Sequence, residues 1–398
     1  MSNQPERIII IQWGGSAYDS LSGLLRLASD ELTADGYEVH TIDINHPDWL
    51  DKLKAVLARG GVLYAMGMSG VGSDLYTDDK RLLWEAAKLP FFNWNCDHPC
   101  YYPSRHVIRN RYLLHGYVFP DHARYAMQHF NANGTAFFSH MGIPPRRIFT
   151  NPPLPARGRN GRILFTKTGG NINSIEARWH SFVPLHRDIL FAAAEELFHR
   201  STADFLSVLQ RLAEPHGLML DGNSELTLAF IREVDLYVRC RRANLVVDAV
   251  LQYPVDVYGK GWDHIDWSRG AATYNGHADW NQMITLLPGY LGCLSTNPLI
   301  DESVHDRSFF ALAANVVPVA DSNAFSRQRM PELERYTFHF DRHSIGTAVE
   351  ALLAEPEAAL ERTEAVWGAL EPVLSMRQSL RRIAAYASLV LANARCAS

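Results

Sequence analysis

The chain has 398 residues, of which 47% are apolar and 20% are charged, and this composition predicts a globular protein of two or three domains. Its formal net charge of -5 argues against broad nucleic-acid binding, which needs a clustered positive surface. No apolar run is long enough to predict a transmembrane helix. With no signal peptide, the five scattered cysteines predict reduced thiols in a cytoplasmic protein.

The first part of the chain alternates between strand-like and helix-like patterns. It begins with a nearly continuous apolar run, RIIIIQW at residues 7–13, which is typical of a central parallel strand. Further strands are predicted at 37–44, 62–68 and 90–95, and helices at 20–32, 49–59 and 84–89. This alternation predicts a doubly wound α/β domain, in which ligands bind beyond the carboxyl ends of the strands.

Two of these strand ends carry glycine-rich turns. Gly15 and Ser16 follow the first strand, and Gly70 lies in the turn after the third. Both turns lack the GxGxxG spacing, so a dinucleotide-binding fingerprint is excluded. They remain candidate ligand contacts because of their position at the carboxyl edge of the predicted sheet.

Asp97 and His98 follow the fourth predicted strand. Either side chain could accept a proton from a bound hydroxyl group, or either could only cap the loop. Cys96 and Cys100 frame this pair. No second cysteine pair lies nearby, so no metal site is predicted.

A segment rich in proline and glycine, residues 143–161, divides the chain. Its proline content is too high for regular structure and predicts a hinge between domains. Further strands are predicted at 162–166, 255–258, 272–274, 292–295, 316–320 and 337–340, with helical patterns at 178–250 and from 345 onward. The second half of the chain is therefore predicted to be a second α/β domain.

Residues 301–321, DESVHDRSFFALAANVVPVAD, predict a polar loop, a short helix and a buried strand. His305, Asp306 and Arg307 stand where this helix begins. The first turn of a helix offers unpaired backbone N–H groups and the positive end of the helix dipole, which suit an anion. Arg307 adds a fork of donors that matches a phosphate group. The alternative is an ordinary loop–helix–strand unit with a solvated arginine.

Two other turns in the second domain could also contact an anion. Lys260 lies in a Gly-Lys-Gly turn after a strand, where glycine lets the backbone approach a ligand and lysine supplies a charge. Thr168 and Gly169 follow the first strand of this domain, without the spacing of a P-loop. Solvated surface turns are the alternative for both, and Asn275-Gly276 is equally typical of a plain turn.

The segments VDVYGKGW, ATYNGHADW, LGCLSTN and HDRSFFALAANVVPVAD follow one another in the second domain. Their order resembles that of GT-B glycosyltransferases, and most of all the CgeB-like branch of the group 1 glycosyltransferases, over residues 160–375. The first domain resembles the family only in layout and in Asp97-His98-Pro99. The resemblance implies an α/β protein with a GT-B fold, in which two Rossmann-like doubly wound domains face each other across a cleft.

The resemblance also implies different roles for successive parts of the chain. Residues 1–155 would form the acceptor domain, residues 156–375 the donor domain for a nucleotide sugar, and residues 376–398 a helix that could pack back on the first domain. The donor contacts that the resemblance implies are Lys260, Gly276, His277, Glu302, His305 and Arg307, and Thr168 and Gly169 are predicted to join them from their place after a strand. Gly15, Ser16 and Gly70 are predicted acceptor contacts from their place at strand ends, with Asp97 and His98 as catalytic candidates. Phe310 departs from the family, because it stands where retaining members carry a second glutamate for the ribose.

The function that follows is a metal-independent hexosyl- or deoxyhexosyltransferase. It would move a sugar from a nucleotide diphosphate sugar, with no further cofactor, to a hydroxyl group of a glycan or small molecule or to a protein side chain. One alternative is a non-catalytic two-domain protein that binds a sugar or nucleotide, and another is a sugar-nucleotide epimerase of the same fold. Incubation with a panel of sugar nucleotides would distinguish the three.

Overall fold

The computed structural model describes residues 5–15, 17–108, 110–130, 136–150, 152–200 and 204–396. They fall into two compact units. The first unit combines the chain up to Gly142 with the segment from Val373 onward, and the second unit runs from Ile143 to Pro372. The proline-rich segment that was predicted to be a hinge thus lies within the second unit.

The first unit contains a six-stranded parallel sheet in the order β2-β1-β3-β4-β5-β6. Its elements up to Gly142 are β1 (Arg7–Gln12), α1 (Ser20–Ala34), β2 (Glu38–Asp43), α2 (Trp49–Arg59), β3 (Val62–Met68), α3 (Leu83–Ala86), β4 (Phe91–Asn95), α4 (Pro103–His106), β5 (Leu113–Tyr117), α5 (Pro120–His129) and β6 (Ala136–Phe138). The central strand β1 is buried on both faces, with Ile8 to Ile11 at 0% exposure, which explains its continuous apolar sequence.

The second unit contains another six-stranded parallel sheet, in the order β12-β11-β10-β7-β8-β9. Its elements are β7 (Ile163–Thr166), α6 (Ile172–His180), α7 (Pro184–Phe198), α8 (Phe205–Ala213), α9 (Glu225–Val250), β8 (Val255–Tyr258), β9 (Thr273–Tyr274), α10 (Trp280–Leu286), β10 (Gly292–Ser295), α11 (Asp306–Ala313), β11 (Val317–Asp321), α12 (Ala324–Arg329), β12 (Thr337–Phe338), α13 (Arg342–Ala354) and α14 (Pro356–Leu374). The loop, helix and strand predicted for residues 301–321 are confirmed.

The last helix, α15 (Met376–Cys396), belongs to the first unit. Arg377 Nε donates to Glu31 Oε2 over 3.0 Å, and Arg381 Nε donates to Asp35 Oδ2 over 2.7 Å, so α15 is attached to α1 and the residue that follows it. None of the helices in the described residues combines the length and apolar character that a membrane crossing requires.

Strands β5 and β6 were missed in the sequence. The sequence of β5, LLHGY, places His115 and Gly116 in the middle of a short apolar run, which hides the strand pattern. In the structure His115 is 1% exposed, and burial lowers its pKa to about 4. The neighbouring Tyr117 pairs its hydroxyl with Nδ1 of His106 over 2.6 Å. Tertiary packing therefore buries polar groups that local sequence would leave in a loop.

Arginine side chains attach the proline-rich segment to the second unit. Arg159 is 9% exposed, and its guanidinium donates to the carbonyl oxygens of Leu154, Tyr290 and Asn315 over 2.6 to 2.9 Å. These bonds replace the backbone pairing that a segment rich in proline cannot make.

We expect Arg159→Met to lower the free energy of unfolding by about 3 kcal/mol, because three carbonyl groups lose a charged donor in a buried site. Urea unfolding of the purified protein measures this change. Arg157→Met is the matched control, since Arg157 is exposed in the same short turn and its loss should cost less than about 0.5 kcal/mol. Equal stability of the two variants would contradict the assignment.

Candidate functional site

The second sheet reverses its strand order between β7 and β10. Strand β7 pairs with β10 on one side and with β8 on the other, so the chain leaves β7 and β10 toward opposite sides of the sheet. Loops that diverge in this way leave a crevice, which is the usual ligand position in parallel α/β sheets. The diverging loops here are residues 167–171 and 296–305, and both contain predicted site residues.

The turns after β7, β8 and β9 pack closely against one another beside this crevice. Gly169 N donates to Lys260 O and Gly259 N donates to Gly276 O, each over 2.8 Å. Gly259 has a φ of 134°, and a side chain there would collide with the carbonyl oxygen of Lys167. Only glycine permits this close approach. The structure thus places three predicted donor contacts, Gly169, Lys260 and Gly276, in one layer of turns.

Polar side chains from the segments on either side of it hold the loop between β10 and α11 in place. Asn323 is 0% exposed, and its amide donates to Ile300 O over 3.1 Å and to Ser303 O over 2.7 Å. Asp301 Oδ1 accepts from Ala324 N over 2.8 Å. This loop therefore has a defined shape without any ligand, as a preorganised site requires.

Helix α11 begins at this loop, with His305 as its N-cap residue. Nδ1 of His305 accepts a hydrogen bond from Arg307 N over 3.4 Å, and Arg307 N also donates to Asp306 Oδ1 over 2.8 Å. Burial and the Arg307 charge lower the pKa of His305 to about 4, which favours the neutral imidazole at pH 7. Arg307 Nη1 is buried and has no hydrogen-bond partner among the described residues. An unsatisfied guanidinium nitrogen at a helix start is suited to an anionic ligand.

A cluster of charged side chains surrounds the crevice. Burial lowers the pKa of Lys167 well below its usual value, and the charges of Arg239 and Arg307 lower it further, while Asp235 and Asp321 act in the opposite direction. Arg239 Nη1 pairs with Asp235 Oδ2 over 3.2 Å. We call Lys167, Arg239 and Arg307 the cationic cluster. Three carboxylates, Asp235, Asp321 and Asp306, lie among these positive groups. The unpartnered Nη1 of Arg307 is therefore the feature of the cluster that suits an anion.

Lys167 and Arg239 were not predicted as site residues. Lys167 lies between Thr166 and Thr168 in a segment that was interpreted as a phosphate cradle or a flexible loop, and its position directly after a strand was the available signal. Arg239 lies in the middle of the 26-residue helix α9, and nothing in the helical pattern separates it from other surface arginines. Only the packing of α9 against the loop after β7, where Asn244 Nδ2 donates to Gly170 O over 2.9 Å, brings it to the crevice.

Other predicted donor contacts are exposed at this edge of the unit. The side chains of Thr168, Lys260, His277 and Glu302 are exposed to solvent. Phe310 is 6% exposed and packs edge-on against Trp280, with ring centroids 5.1 Å apart. The residue that departs from the family pattern is therefore part of the core, and the four exposed residues remain predicted ligand contacts.

The predicted acceptor contacts lie at the carboxyl edge of the first sheet. Gly15 is exposed, and its amide donates to Trp13 O over 2.9 Å. Gly70 has a φ of 84°, and its amide donates to Asn93 Oδ1 over 2.6 Å. Ser16 falls outside the described residues. Both glycines lie on loops that diverge between β1 and β3, the point at which this sheet reverses its strand order.

Asp97 and His98 have different environments. Asp97 is exposed after β4, whereas His98 is 8% exposed. Nδ1 of His98 accepts from Cys100 N over 3.2 Å, so this imidazole caps the turn that follows it. Its ring also lies edge-on to His122 at 5.1 Å. Asp97 is therefore the better placed of the two to meet a substrate from solvent.

Within the described part of the chain, no three His, Cys, Asp or Glu side chains are grouped so as to hold a metal ion. The positive charge at the crevice comes from the cationic cluster.

No protein-family model and no curated protein sequence matches the chain, but solved structures match almost all of it. Sucrose-phosphate synthase from Thermosynechococcus elongatus is similar with a TM-score of 0.56 at 12% identity, covering 98% of this chain and 100% of that one. An alpha-glucosyltransferase in complex with UDP-glucose and DNA containing an abasic site is similar with a TM-score of 0.56 at 8% identity, covering 96% and 99%. An alpha-glucosyltransferase in complex with UDP has a TM-score of 0.53 at 8% identity, covering 96% and 99%.

The chain has the GT-B fold. Two six-stranded parallel sheets with surrounding helices, matched over nearly the full length of such enzymes, confirm the predicted fold class. At these low identities the similarity establishes the fold alone. Any statement about the chemistry of this protein must therefore rest on its own residues.

Proposed function

We propose that the protein is a glycosyltransferase that moves a sugar from a nucleoside diphosphate sugar to an acceptor hydroxyl group. The observation that carries the proposal is the cationic cluster at the strand-order reversal of the second sheet. Lys167 follows β7 and Arg307 lies in the first turn of α11, and their charges interact beside the position where parallel sheets bind ligands. The buried Nη1 of Arg307 would gain a partner in a phosphate oxygen.

The same groups account for the chemistry. When the bond between the sugar and the diphosphate breaks, negative charge develops on the leaving phosphate. Lys167, Arg307 and the first turn of α11 would stabilise that charge, and one such donor contributes about 3 kcal/mol to lowering the barrier. The neutral imidazole of His305 does not add to this charge but caps the helix. The charge is thus met by side chains and a helix dipole, so the proposed reaction needs no metal ion.

The structures of similar fold support a nucleotide ligand, because two of them contain UDP-glucose or UDP. One of those enzymes is also bound to DNA, whereas this chain has a net charge of -5, and we do not extend DNA binding to it. UDP-glucose is the first donor to test. The acceptor would be a glycan, a small molecule or a protein side chain, bound at the carboxyl edge of the first sheet.

The test of the proposal is release of UDP from UDP-glucose and related sugar nucleotides, with water as acceptor, in excess chelator. We expect slow release by the wild-type protein. Arg307→Ala should reduce turnover or donor affinity at least about tenfold, because a charge-assisted hydrogen bond contributes about 1.5–3 kcal/mol. Arg329→Ala is the control, since Arg329 is an exposed arginine at the end of α12.

Three results would contradict the proposal. A protein that binds nucleotides without releasing UDP is a binding protein, and isomerisation of the sugar indicates an epimerase. Activity lost in chelator and restored by manganese or magnesium would show that the cationic cluster is insufficient.

We expect binding of UDP to be coupled to proton uptake by Lys167. The pKa of Lys167 is well below its usual value in the free protein because of burial, Arg239 and Arg307. A bound diphosphate favours the ammonium form and raises this pKa, so a proton is taken up at any pH between the two values. Calorimetry at a series of pH values from about pH 8 upward, where the diphosphate is already fully ionised, in buffers of different ionisation enthalpy measures the uptake. Lys167→Met should abolish it and Lys260→Met should not.

We expect Asp97→Asn to lower UDP release by about 10²–10⁴-fold if Asp97 removes a proton from the attacking hydroxyl group. The substitution keeps the shape of the side chain and removes its charge. The affinity for UDP should stay unchanged, because Asp97 lies in the first unit and the cationic cluster in the second. Asp79→Asn, an exposed carboxylate of the same unit, is the control. Unchanged UDP release would assign Asp97 a role other than that of the base.

A further inference from the structure

Three hydrogen bonds connect the end of β11 to the N-cap residue of α11. Asp321 is the last residue of β11 and is 2% exposed. Its Oδ1 accepts from Asn297 N over 2.7 Å, and its carbonyl oxygen accepts from Asn297 Nδ2 over 3.3 Å. Asn297 Oδ1 in turn accepts from His305 N over 2.8 Å. Asn297 is also 2% exposed, so the chain of bonds is shielded from water.

The last bond determines where α11 begins. His305 is the N-cap residue, and its own backbone N–H does not belong to the helical hydrogen bonding. By accepting from this N–H, Asn297 fixes the cap residue. Within the first turn, Arg307 N donates to Asp306 Oδ1 over 2.8 Å and Ser308 N donates to His305 O over 2.9 Å. Arg307 is the second helical residue, so its side chain takes its direction from the same turn. Asp321 therefore reaches the cationic cluster through two intermediate residues.

Asp321 is an unusual residue to find at this place. Its Oδ2 is buried and has no hydrogen-bond partner among the described residues, and burial raises the pKa of the carboxyl group. A buried carboxylate with an unsatisfied oxygen costs folding free energy. Its negative charge also opposes binding of an anion near Lys167. A residue that served only to attract the diphosphate would not be an aspartate.

We propose that Asp321 and Asn297 are positioning residues for the anion site, which hold the start of α11, and with it Arg307, in the geometry that binds a diphosphate. The inference rests on the proposed function, and it assigns to these residues no contact with the ligand. The proposal has two measurable consequences. Removing these hydrogen bonds should loosen the first turn of α11. Removing the Asp321 side chain should weaken diphosphate binding, although loss of its negative charge alone would strengthen it.

The first experiment needs no ligand. Hydrogen exchange of the free protein is measured on peptides that cover residues 303–310. We expect Asn297→Ala to accelerate exchange in this segment about tenfold, because the hydrogen bond that holds the cap is lost. Asp256→Asn is the control: Asp256 pairs with Arg162 over 2.8 Å in the same unit but lies in β8, outside this chain of bonds. Unchanged exchange in Asn297→Ala would overturn the proposal, whatever the protein binds.

The second experiment separates position from charge, with UDP and inorganic pyrophosphate as probes. Removing a negative charge alone should strengthen binding of either anion. We expect Asp321→Ala instead to weaken it about tenfold, because the anchor of Asn297 is lost, and Asp321→Asn to bind at least as tightly as the wild type, because an amide oxygen can still accept from Asn297 N. Tighter binding by Asp321→Ala would overturn the proposal.

A double-variant cycle shows whether the effect passes through Arg307. If Asn297 acts by placing Arg307, the combination of Asn297→Ala with Arg307→Ala should weaken UDP binding little more than Arg307→Ala does alone. Multiplied effects of the two substitutions would overturn the proposed route.

If the wild-type protein binds pyrophosphate and UDP but releases no UDP from sugar nucleotides, the glycosyltransferase proposal fails and the positioning role stands. Binding of neither probe would refute both the anion site and the positioning role.

Discussion

The second unit has to hold positive charges close together at the edge of a sheet without neutralising them. Lys167, Arg239 and Arg307 repel one another, and burial of Lys167 and Arg307 adds to the cost of keeping them charged. Three carboxylates, Asp235, Asp321 and Asp306, offset this repulsion. Arg307 Nη1 still has no hydrogen-bond partner among the described residues, and the anion that we propose for the crevice would supply one.

The neutral part of the site is built to keep these charges in place. Asn323 holds the loop after β10, and Asn297 holds the start of α11. Gly259 lets the turn after β8 approach Lys167. These amides and glycines add no charge, whereas Asp321, which anchors Asn297, weakens the positive field of the crevice. Under the proposed function, such a site would meet the charge of a leaving diphosphate with groups that are already oriented, which is the condition for electrostatic stabilisation of a transition state.

The two units use the same topology for different surfaces. Each sheet reverses its strand order once, between β1 and β3 in the first unit and between β7 and β10 in the second. In the first unit the loops at the reversal carry Gly15 and Gly70, with an exposed Trp13 beside them. In the second unit one of the corresponding loops carries Lys167, and Arg307 lies in the helix that follows the other. One topology, repeated along the chain, thus supplies two edges with different surface chemistry, and under the proposed function the second binds the donor and the first the acceptor.

Much of this architecture could be predicted from local sequence, because a buried parallel strand leaves a continuous apolar run and a glycine-rich turn leaves a composition signal. The strands at 62–68, 255–258 and 292–295 were predicted at the bounds that the structure has, and Arg307 was predicted at the start of its helix. Local sequence could not reveal β5, whose polar residues are buried only because other elements cover them. It could not reveal Arg239 or Asp321 either. Their charges reach Lys167 from a helix and a strand that are distant in sequence. Only the packing of α9 against the loop after β7, and the position of β11 two strands from β7 in the sheet, decide which charges meet.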